Sequence, residues 1–188
     1  MTIGNVKIHT YVPYCPKEYG QNLGLAYNSF MEYLKPDDWA LFLDHDAMFT
    51  TRYWYHQIEK IIAENPDAGV FGACTNRIGN KFQIPPGIDG NNHDIRYHRD
   101  IGKKLHDLCG TQIIESTMNP PLSGVVILIR KDTWLNAGGF RDGFLAVDTG
   151  IQQDVLEKTG KKSYMMKGVY LYHWYRGDGD MSHLKIHK

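Results

Sequence analysis

Two aspartates and a histidine stand directly behind an apolar run in the segment LFLDHDAMF (residues 41–49). If strand geometry persists past the apolar run, Asp44 and Asp46 project to the same side, because successive side chains of a strand alternate. Two carboxylates held this close either share a proton or bind a cation that compensates their repulsion. The alternative is that Asp44 caps a turn, Asp46 is solvated and His45 only fills space.

The ligand types in this segment indicate which metal ion it would hold. Carboxylate oxygens favour Mg²⁺ or Mn²⁺, and one added imidazole shifts the preference toward Mn²⁺. His173, at the end of the last strand-like segment, is the candidate for that imidazole. The sequence therefore predicts a metal group made of Asp44, Asp46 and His173.

Strand-like and helix-like segments alternate along the chain, which predicts an α/β fold. The strand-like segments are 6–12, 39–43, 69–74, 124–130 and 162–174, and the helix-like ones are 21–34, about 54–64, a short helix within 131–140, and 148–160. This order predicts a mostly parallel sheet sandwiched by helices, with ligands outside the carboxyl ends of the strands. The Asp44 segment falls at such an end. The segment 75–99, rich in Gly, Asn and Pro, is longer than most connections and is predicted to be a functional or flexible loop.

Length and composition set limits on the class of protein. With 188 residues, 42% of them hydrophobic, the chain is predicted to form one domain over 1–188. Its 21 basic residues balance 21 acidic ones without a basic block, which argues against nucleic acid as a partner.

The sequence contains no apolar run near the ~18 residues of a membrane span and starts without a signal-type segment, so a cytoplasmic location is predicted. Three widely spaced cysteines without a CxxC pair predict reduced, structural thiols.

Two stretches of the chain resemble the nucleotide-sugar-dependent glycosyltransferases of the GT-A fold, and particularly the large inverting group often called family two. NLGLAYNSFMEYLKPDDWALFLDHDAMF (22–49) resembles the family's helix that leads into a strand ending in Asp-x-Asp. LSGVVILIRKDTWLNAGGFRDGFLAVDTGIQQDVLEKTGKK (122–162) is similar to the family's strand, its Gly-Gly-Phe turn and an acidic motif that opens a helix. The family's usual segment between the first strand and the first helix is shortened here.

The resemblance implies a metal-dependent transfer of a sugar from a nucleoside diphosphate sugar to an acceptor hydroxyl, with inversion at the anomeric carbon. It places Asp148 as the base that activates the acceptor and His173 as the late metal ligand. Asp44 is expected to lie near the ribose or to reach the metal. Asp148 is predicted to lie at the start of a helix, where the helix dipole favours an ionised carboxylate. The alternative is that Asp148 is only the N-cap of that helix.

Further residues are expected to contact the nucleotide. Tyr11, Pro13 and Tyr14 border the expected nucleobase position, where the tyrosines can stack, although strand aromatics also serve ordinary packing. Asn22 and Asn28 are candidates for ribose or phosphate contacts, with a helix cap or an exposed polar position as the alternative. Arg176 is expected to reach the diphosphate, since guanidinium groups suit phosphate.

Two other classes of protein remain open on the sequence. A metal-dependent phosphoesterase would also use clustered aspartates and a distant histidine, although it normally needs a denser ligand set. A non-catalytic module that binds a sugar or nucleotide fits the small size and the shortened nucleotide segment.

Overall fold

The computed structural model describes residues 6–15, 20–116, 118 and 120–174. Within these residues the chain forms seven strands and five α-helices, which confirms the α/β class. In chain order they are β1 (Ile8–Tyr11), α1 (Leu23–Met31), β2 (Trp39–Leu43), β3 (Ala47–Phe49), α2 (Trp54–Glu64), β4 (Val70–Thr75), α3 (Ile95–Cys109), β5 (Ile113–Ser116), β6 (Val126–Arg130), α4 (Lys131–Ala137), α5 (Val147–Thr159) and β7 (Ser163–His173). A 3₁₀ helix (Lys81–Gln83) lies between β4 and α3.

The strands form one open sheet in the order β1-β2-β6-β4-β7-β3, and β5 also pairs with β7. Only β1/β2 and β4/β7 are parallel pairs among the described strands, whereas the other pairs are antiparallel. The prediction of a mostly parallel sheet is therefore wrong, and the sheet is mixed. The reason is that β6 lies between β2 and β4 and is antiparallel to both. The short strands β3 and β5 are also antiparallel to β7, with which they pair.

Helices cover both faces of the sheet, as the continuous apolar run of β2 predicts. On one face, Leu41 packs in a cluster with Ile58 and Ile61 of α2. On the other face, Phe42 packs with side chains of α1, α4 and α5, including Tyr27 and Ile151. Each of these fully buried large side chains contributes about 1.5–3 kcal/mol through its removal from water. The two clusters fix β2, and with it the position of the residues that follow its end.

Helix α3 was not predicted from the sequence, and it packs against β7. Its inward residues Ile101 and Leu105 lie against a small cluster that includes Tyr170. A third inward position is His98, which is fully buried and bonded through Nδ1 to the Tyr170 hydroxyl at 2.8 Å. Because one of the buried positions is a histidine, the apolar spacing of this helix is weak, and the sequence alone did not reveal it.

The predicted loop 75–99 is held by buried side-chain amides. Gln83, with no exposed surface, donates to the carbonyls of Ala73 and Ser123 and accepts from the Ser123 N–H. Asn80 donates to the carbonyl of Pro121 at 2.6 Å. The segment also contains the 3₁₀ helix and the first turn of α3, so much of it is anchored to the sheet.

Among the described residues, no helix combines the length and the apolar character needed to cross a membrane.

Candidate metal and active site

One edge of the sheet gathers the ends of four strands and the starts of two others. β1, β2, β4 and β7 all finish at this edge, and β6 and β3 begin there because they run in the opposite direction. Asp44 follows β2 and Asp46 precedes β3, and a turn closed by the bond from Ala47 N–H to the Asp44 carbonyl (3.1 Å) joins them. Ala47 pairs in register with His173 at the end of β7, so the turn places both aspartates beside that histidine.

The three predicted metal ligands come together at this edge. The Nε2 atom of His173 lies 3.3 Å from Oδ1 of Asp46 and 3.6 Å from Oδ2 of Asp44. Each of the three residues offers one ligand atom, and these three atoms lie within 4.8 Å of one another. The side chain of His173 is 5% exposed, that of Asp46 16% and that of Asp44 35%, so the group opens to solvent on the Asp44 side.

The histidine ring is oriented by a bond on its far side. Nδ1 of His173 lies 2.9 Å from the carbonyl oxygen of Arg77. Because a carbonyl oxygen only accepts, Nδ1 carries a hydrogen, and Nε2 faces the two carboxylates, to which it donates when protonated and beside which it can bind a metal ion when deprotonated. A metal-binding histidine usually donates its other N–H to such a partner. Two oxygen ligands and one imidazole nitrogen presented in this way fit Mn²⁺ or Mg²⁺.

The two carboxylates differ in their electrostatics. Burial raises the pKa of Asp44 to about 6, with His173 opposing the shift and the charge of Asp46 adding to it. Burial also acts to raise the pKa of Asp46, but the hydrogen bond and charge of His173 outweigh it, so this pKa lies below its ordinary value. Asp46 is thus the aspartate that His173 stabilises, and the charge of Asp44 is the one that a cation would relieve.

Asp148 lies in the first turn of α5 and faces the same edge. Its Oδ2 accepts the N–H of Gly124 at 2.8 Å, and its Oδ1 accepts the N–H of Thr149 at 2.8 Å. The N-cap position of α5 is Ala146, with no side-chain cap bond, so Asp148 is not the N-cap of its helix.

The chain before β6 links Asp148 to the metal group. A Cβ at Gly124 would lie 2.9 Å from the Cβ of Asp148, so only glycine permits this close approach. The next residue, Val125, accepts the N–H of Asp44 through its carbonyl at 3.1 Å. Asp148 also contributes to the raised pKa of Asp44, after the larger effects of burial and of nearer groups. The predicted base and the predicted ligands therefore share one edge.

The residues predicted to meet the nucleobase have different surroundings. Tyr11 stacks on Phe30 with ring centres 4.4 Å apart and contacts Phe42 edge-on. Its ring therefore packs against α1 and β2. Tyr14 is 74% exposed, and Pro13 between them is half-buried. Stacking on a nucleobase stays a prediction for these residues.

The two predicted asparagines make hydrogen bonds within the protein. Asn22 is the N-cap of α1, and its Oδ1 accepts from the N–H groups of Leu25 (2.8 Å) and Gly143 (3.0 Å). Asn28 accepts from Trp134 Nε1 at 2.9 Å and exchanges two bonds with the backbone of Phe140. Arg176 lies outside the described residues.

Sequence reasoning missed Asn76 and Arg77, which contact the candidate site. Asn76 is 2% exposed, and its carboxamide bonds to both backbone groups of His173. A signal was present, since Asn76 and Arg77 directly follow the strand-like segment 69–74, whose carboxyl end is where ligands are expected in such a sheet.

An open groove of about 650 Å³ lies elsewhere, between α2 and the end of α3. Its lining includes Tyr53, Gln57 and His106, and none of the predicted site residues contributes to it.

Comparison with known proteins adds no family assignment. No protein-family model matches the chain, and no curated protein matches its sequence significantly.

Proposed function

We propose that this chain is a divalent-metal-dependent glycosyltransferase that moves a sugar from a nucleoside diphosphate sugar to an acceptor hydroxyl. The observation that carries the proposal is the convergence of Asp44, Asp46 and the Nε2 atom of His173 at the edge where the parallel strands end. Open α/β sheets bind nucleotides and related ligands at such edges. The resemblance of 22–49 and 122–162 to GT-A enzymes supplies the reaction class.

Asp44, Asp46 and His173 would hold Mn²⁺ or Mg²⁺, with the imidazole favouring Mn²⁺. When bound, the ion would supply positive charge to the diphosphate, on which negative charge develops as it leaves. Tyr11, Pro13, Tyr14 and Arg176 are assigned to the donor nucleotide and its diphosphate, and Asp44 is placed near the ribose.

Asp148 is proposed as the general base. As the acceptor oxygen bonds to the anomeric carbon, the bond from that carbon to the diphosphate oxygen breaks, and the acceptor's proton passes to the Asp148 carboxylate. Attack from the face opposite the leaving group inverts the anomeric configuration. Support for this role comes from the location of Asp148 beside Asp44 through Gly124 and Val125.

One observation favours a second candidate, a metal-dependent binding module without turnover. Both oxygens of Asp148 already accept backbone N–H groups, as a purely structural carboxylate would. A phosphoesterase has less support, because the described residues contain a single cluster of three potential ligands, whereas such enzymes often need a second metal or a nucleophile.

Calorimetric titration with a panel of nucleoside diphosphate sugars, in Mn²⁺ or in excess chelator, tests the proposal. We expect a donor to bind only with the metal, Asp46→Ala to abolish that binding, and the exposed Asp67→Ala to leave it unchanged. Equal affinity in Mn²⁺ and in chelator would refute the metal-dependent mode. Release of nucleoside diphosphate that depends on an acceptor separates the transferase from the binding module, and turnover of simple phosphoesters would indicate the phosphoesterase.

A further inference from the structure

The strand ladder between β4 and β7 stops two residues short of His173. Thr75, the last residue of β4, pairs with Leu171. On the other side of β7, Ala47 lies opposite His173, and the bond between these strand ends runs from Trp174 N–H to the Asp46 carbonyl at 2.9 Å. The N–H and C=O of His173 are therefore not used by β3 and need other partners.

The side chain of Asn76 supplies both partners. Its Oδ1 accepts the N–H of His173 at 2.7 Å, and its Nδ2 donates to the carbonyl of His173 at 3.2 Å. The carboxamide thus does for His173 what a further peptide unit of β4 would do. His173 is 4% exposed and Asn76 2%, so water has little access to replace either bond.

The same short segment also fixes the imidazole ring. Arg77, the next residue, accepts the Nδ1 hydrogen of His173 through its carbonyl at 2.9 Å. Residues 76 and 77 therefore hold the histidine at three atoms: its backbone nitrogen, its backbone oxygen and its Nδ1. With these fixed, Nε2 is left facing the carboxylates of Asp44 and Asp46.

We infer that Asn76 is a positioning residue for the metal site: it holds His173 so that Nε2 is presented to the ion, and thereby sets the metal affinity without contacting the metal. The inference rests on the metal group of the proposed function. Partners that orient a ligand in this way typically change metal affinity by about 10–100-fold when they are removed.

Metal affinity in Asn76→Ala is the first test, and Asn80→Ala is a matched control. Asn80 is also a buried asparagine of the same segment, with 7% exposure and bonds to Pro121 and Phe82, none of which belongs to the metal group. We expect the Mn²⁺ dissociation constant to rise about 10–100-fold in Asn76→Ala and to stay within about threefold of wild type in Asn80→Ala. Equal effects in both variants would overturn the inference, since they would reflect general loosening of the segment.

A double-mutant cycle tests whether the effect passes through the histidine. In a His173→Ala background, Asn76→Ala should weaken Mn²⁺ binding no further, because the ligand that it positions is gone. An undiminished effect in that background would overturn the inference. If Asn76→Ala does not fold, Asn76→Ser takes its place, because the shorter hydroxyl cannot bridge both backbone groups of His173.

A metal-free measurement separates this inference from the proposed function. Proton NMR should show a slowly exchanging Nδ1–H signal of His173, bonded to the Arg77 carbonyl, in the wild type and in Asn80→Ala, and a fast-exchanging or missing signal in Asn76→Ala. An equally protected Nδ1–H signal in Asn76→Ala would overturn the inference. If the wild type binds no Mn²⁺, the metal-dependent function fails, whereas the Nδ1–H signal still decides whether Asn76 positions His173.

Discussion

Asp44 and Asp46 occupy similar places in the sequence but different electrostatic environments. Simple repulsion between neighbouring carboxylates would raise both pKa values. The structure instead gives Asp46 the closer contact with His173 and a lowered pKa, while burial raises that of Asp44 to about 6. The uncompensated charge at neutral pH is therefore concentrated on Asp44.

The raised pKa of Asp44 predicts a specific effect of pH on stability. Its ordinary value is 3.8, so between about pH 4 and pH 6 the folded state binds more protons than the unfolded state, and the free energy of unfolding falls as pH rises. Asp44→Asn removes this cost and should stabilise the metal-free protein at pH 7. Because 35% of the side chain is exposed, solvent screening limits the gain to about 1–2 kcal/mol.

Urea unfolding of both proteins in chelator measures this difference. The advantage of Asp44→Asn over the wild type should shrink as the pH is lowered from 7 toward 4, where both side chains are uncharged in the folded state. Asp67→Asn, at an exposed position, should show no such trend. A wild type more stable than Asp44→Asn at pH 7 without metal would contradict the electrostatic argument.

Asp148 has a test that separates catalysis from structure. In Asp148→Asn, the single amide oxygen can replace only one of the two oxygens that accept from Gly124 and Thr149, so a loss of about 1 kcal/mol in stability is expected. Donor binding should persist, while transfer should fall by about 10²–10⁴, because an amide cannot take the acceptor's proton. Single-turnover kinetics would measure the chemical step. Near-normal transfer would mean that the base is another group, and Asp142→Asn would then be examined.

At the level of elements, the sequence predicted much of what positions the site. The segments that became β2, β4, β6 and β7 were placed to within a few residues, because their apolar runs have strand length and are covered on both faces. The order of helices α1, α2, α4 and α5 was also predicted. These elements bring Asp44, Asp46 and His173 to one edge, which is why distant residues could be grouped before the structure was known.

The rest of the fold depended on information that local patterns lack. The apolar pattern of VILIR in β6 is the same for a parallel and for an antiparallel strand, so its antiparallel placement was not predictable. β3 has three residues and is defined by its pairing with β7, and the buried His98 weakened the signal of α3. The role of Asn76 depends on where the β4–β7 ladder ends, which only the register shows.

Asn28 connects three elements and provides a prediction at this scale. Its carboxamide joins α1 to Trp134 of α4 and to the backbone of Phe140 in the turn that leads toward α5. Asn28→Ala leaves the Trp134 and Phe140 N–H groups without this acceptor, which should lower the free energy of unfolding by about 2–4 kcal/mol. Ser29→Ala, which removes an exposed bond one residue along α1, should cost much less.

Chemical denaturation measures both changes, and titration with donor measures whether Asn28 also contacts the nucleotide. The hydrogen bonds of Asn28 favour unchanged donor affinity in the folded variant. A loss of donor affinity without a loss of stability would instead support the ribose or phosphate contact that the sequence suggested.

For the whole molecule, the metal group joins the end of β2 to the paired strands β3 and β7. Asp44 directly follows β2, next to β1 in the sheet, whereas Asp46 directly precedes β3, which pairs with β7, the strand that ends in His173. A bound ion would therefore tie strands that are three places apart in the sheet to one another. Binding that requires this assembled edge stabilises the folded state and not the unfolded chain.

Mn²⁺ should therefore raise the melting temperature of the intact protein. A ligand at about 100 times its dissociation constant adds about 2.7 kcal/mol, and for a chain of this size each kcal/mol shifts the midpoint by about 2–4 °C, which predicts a rise of about 5–10 °C. Scanning calorimetry with and without chelator measures it. Asp46→Ala and His173→Ala should each lose most of the rise, because each removes one of the three ligands, while Asp67→Ala should retain it. A nucleoside diphosphate should add to the rise only when Mn²⁺ is present, since the ion is proposed to receive the diphosphate. An equal rise in wild type and in His173→Ala would place the ion on exposed carboxylates, and β7 would then have no part in holding it.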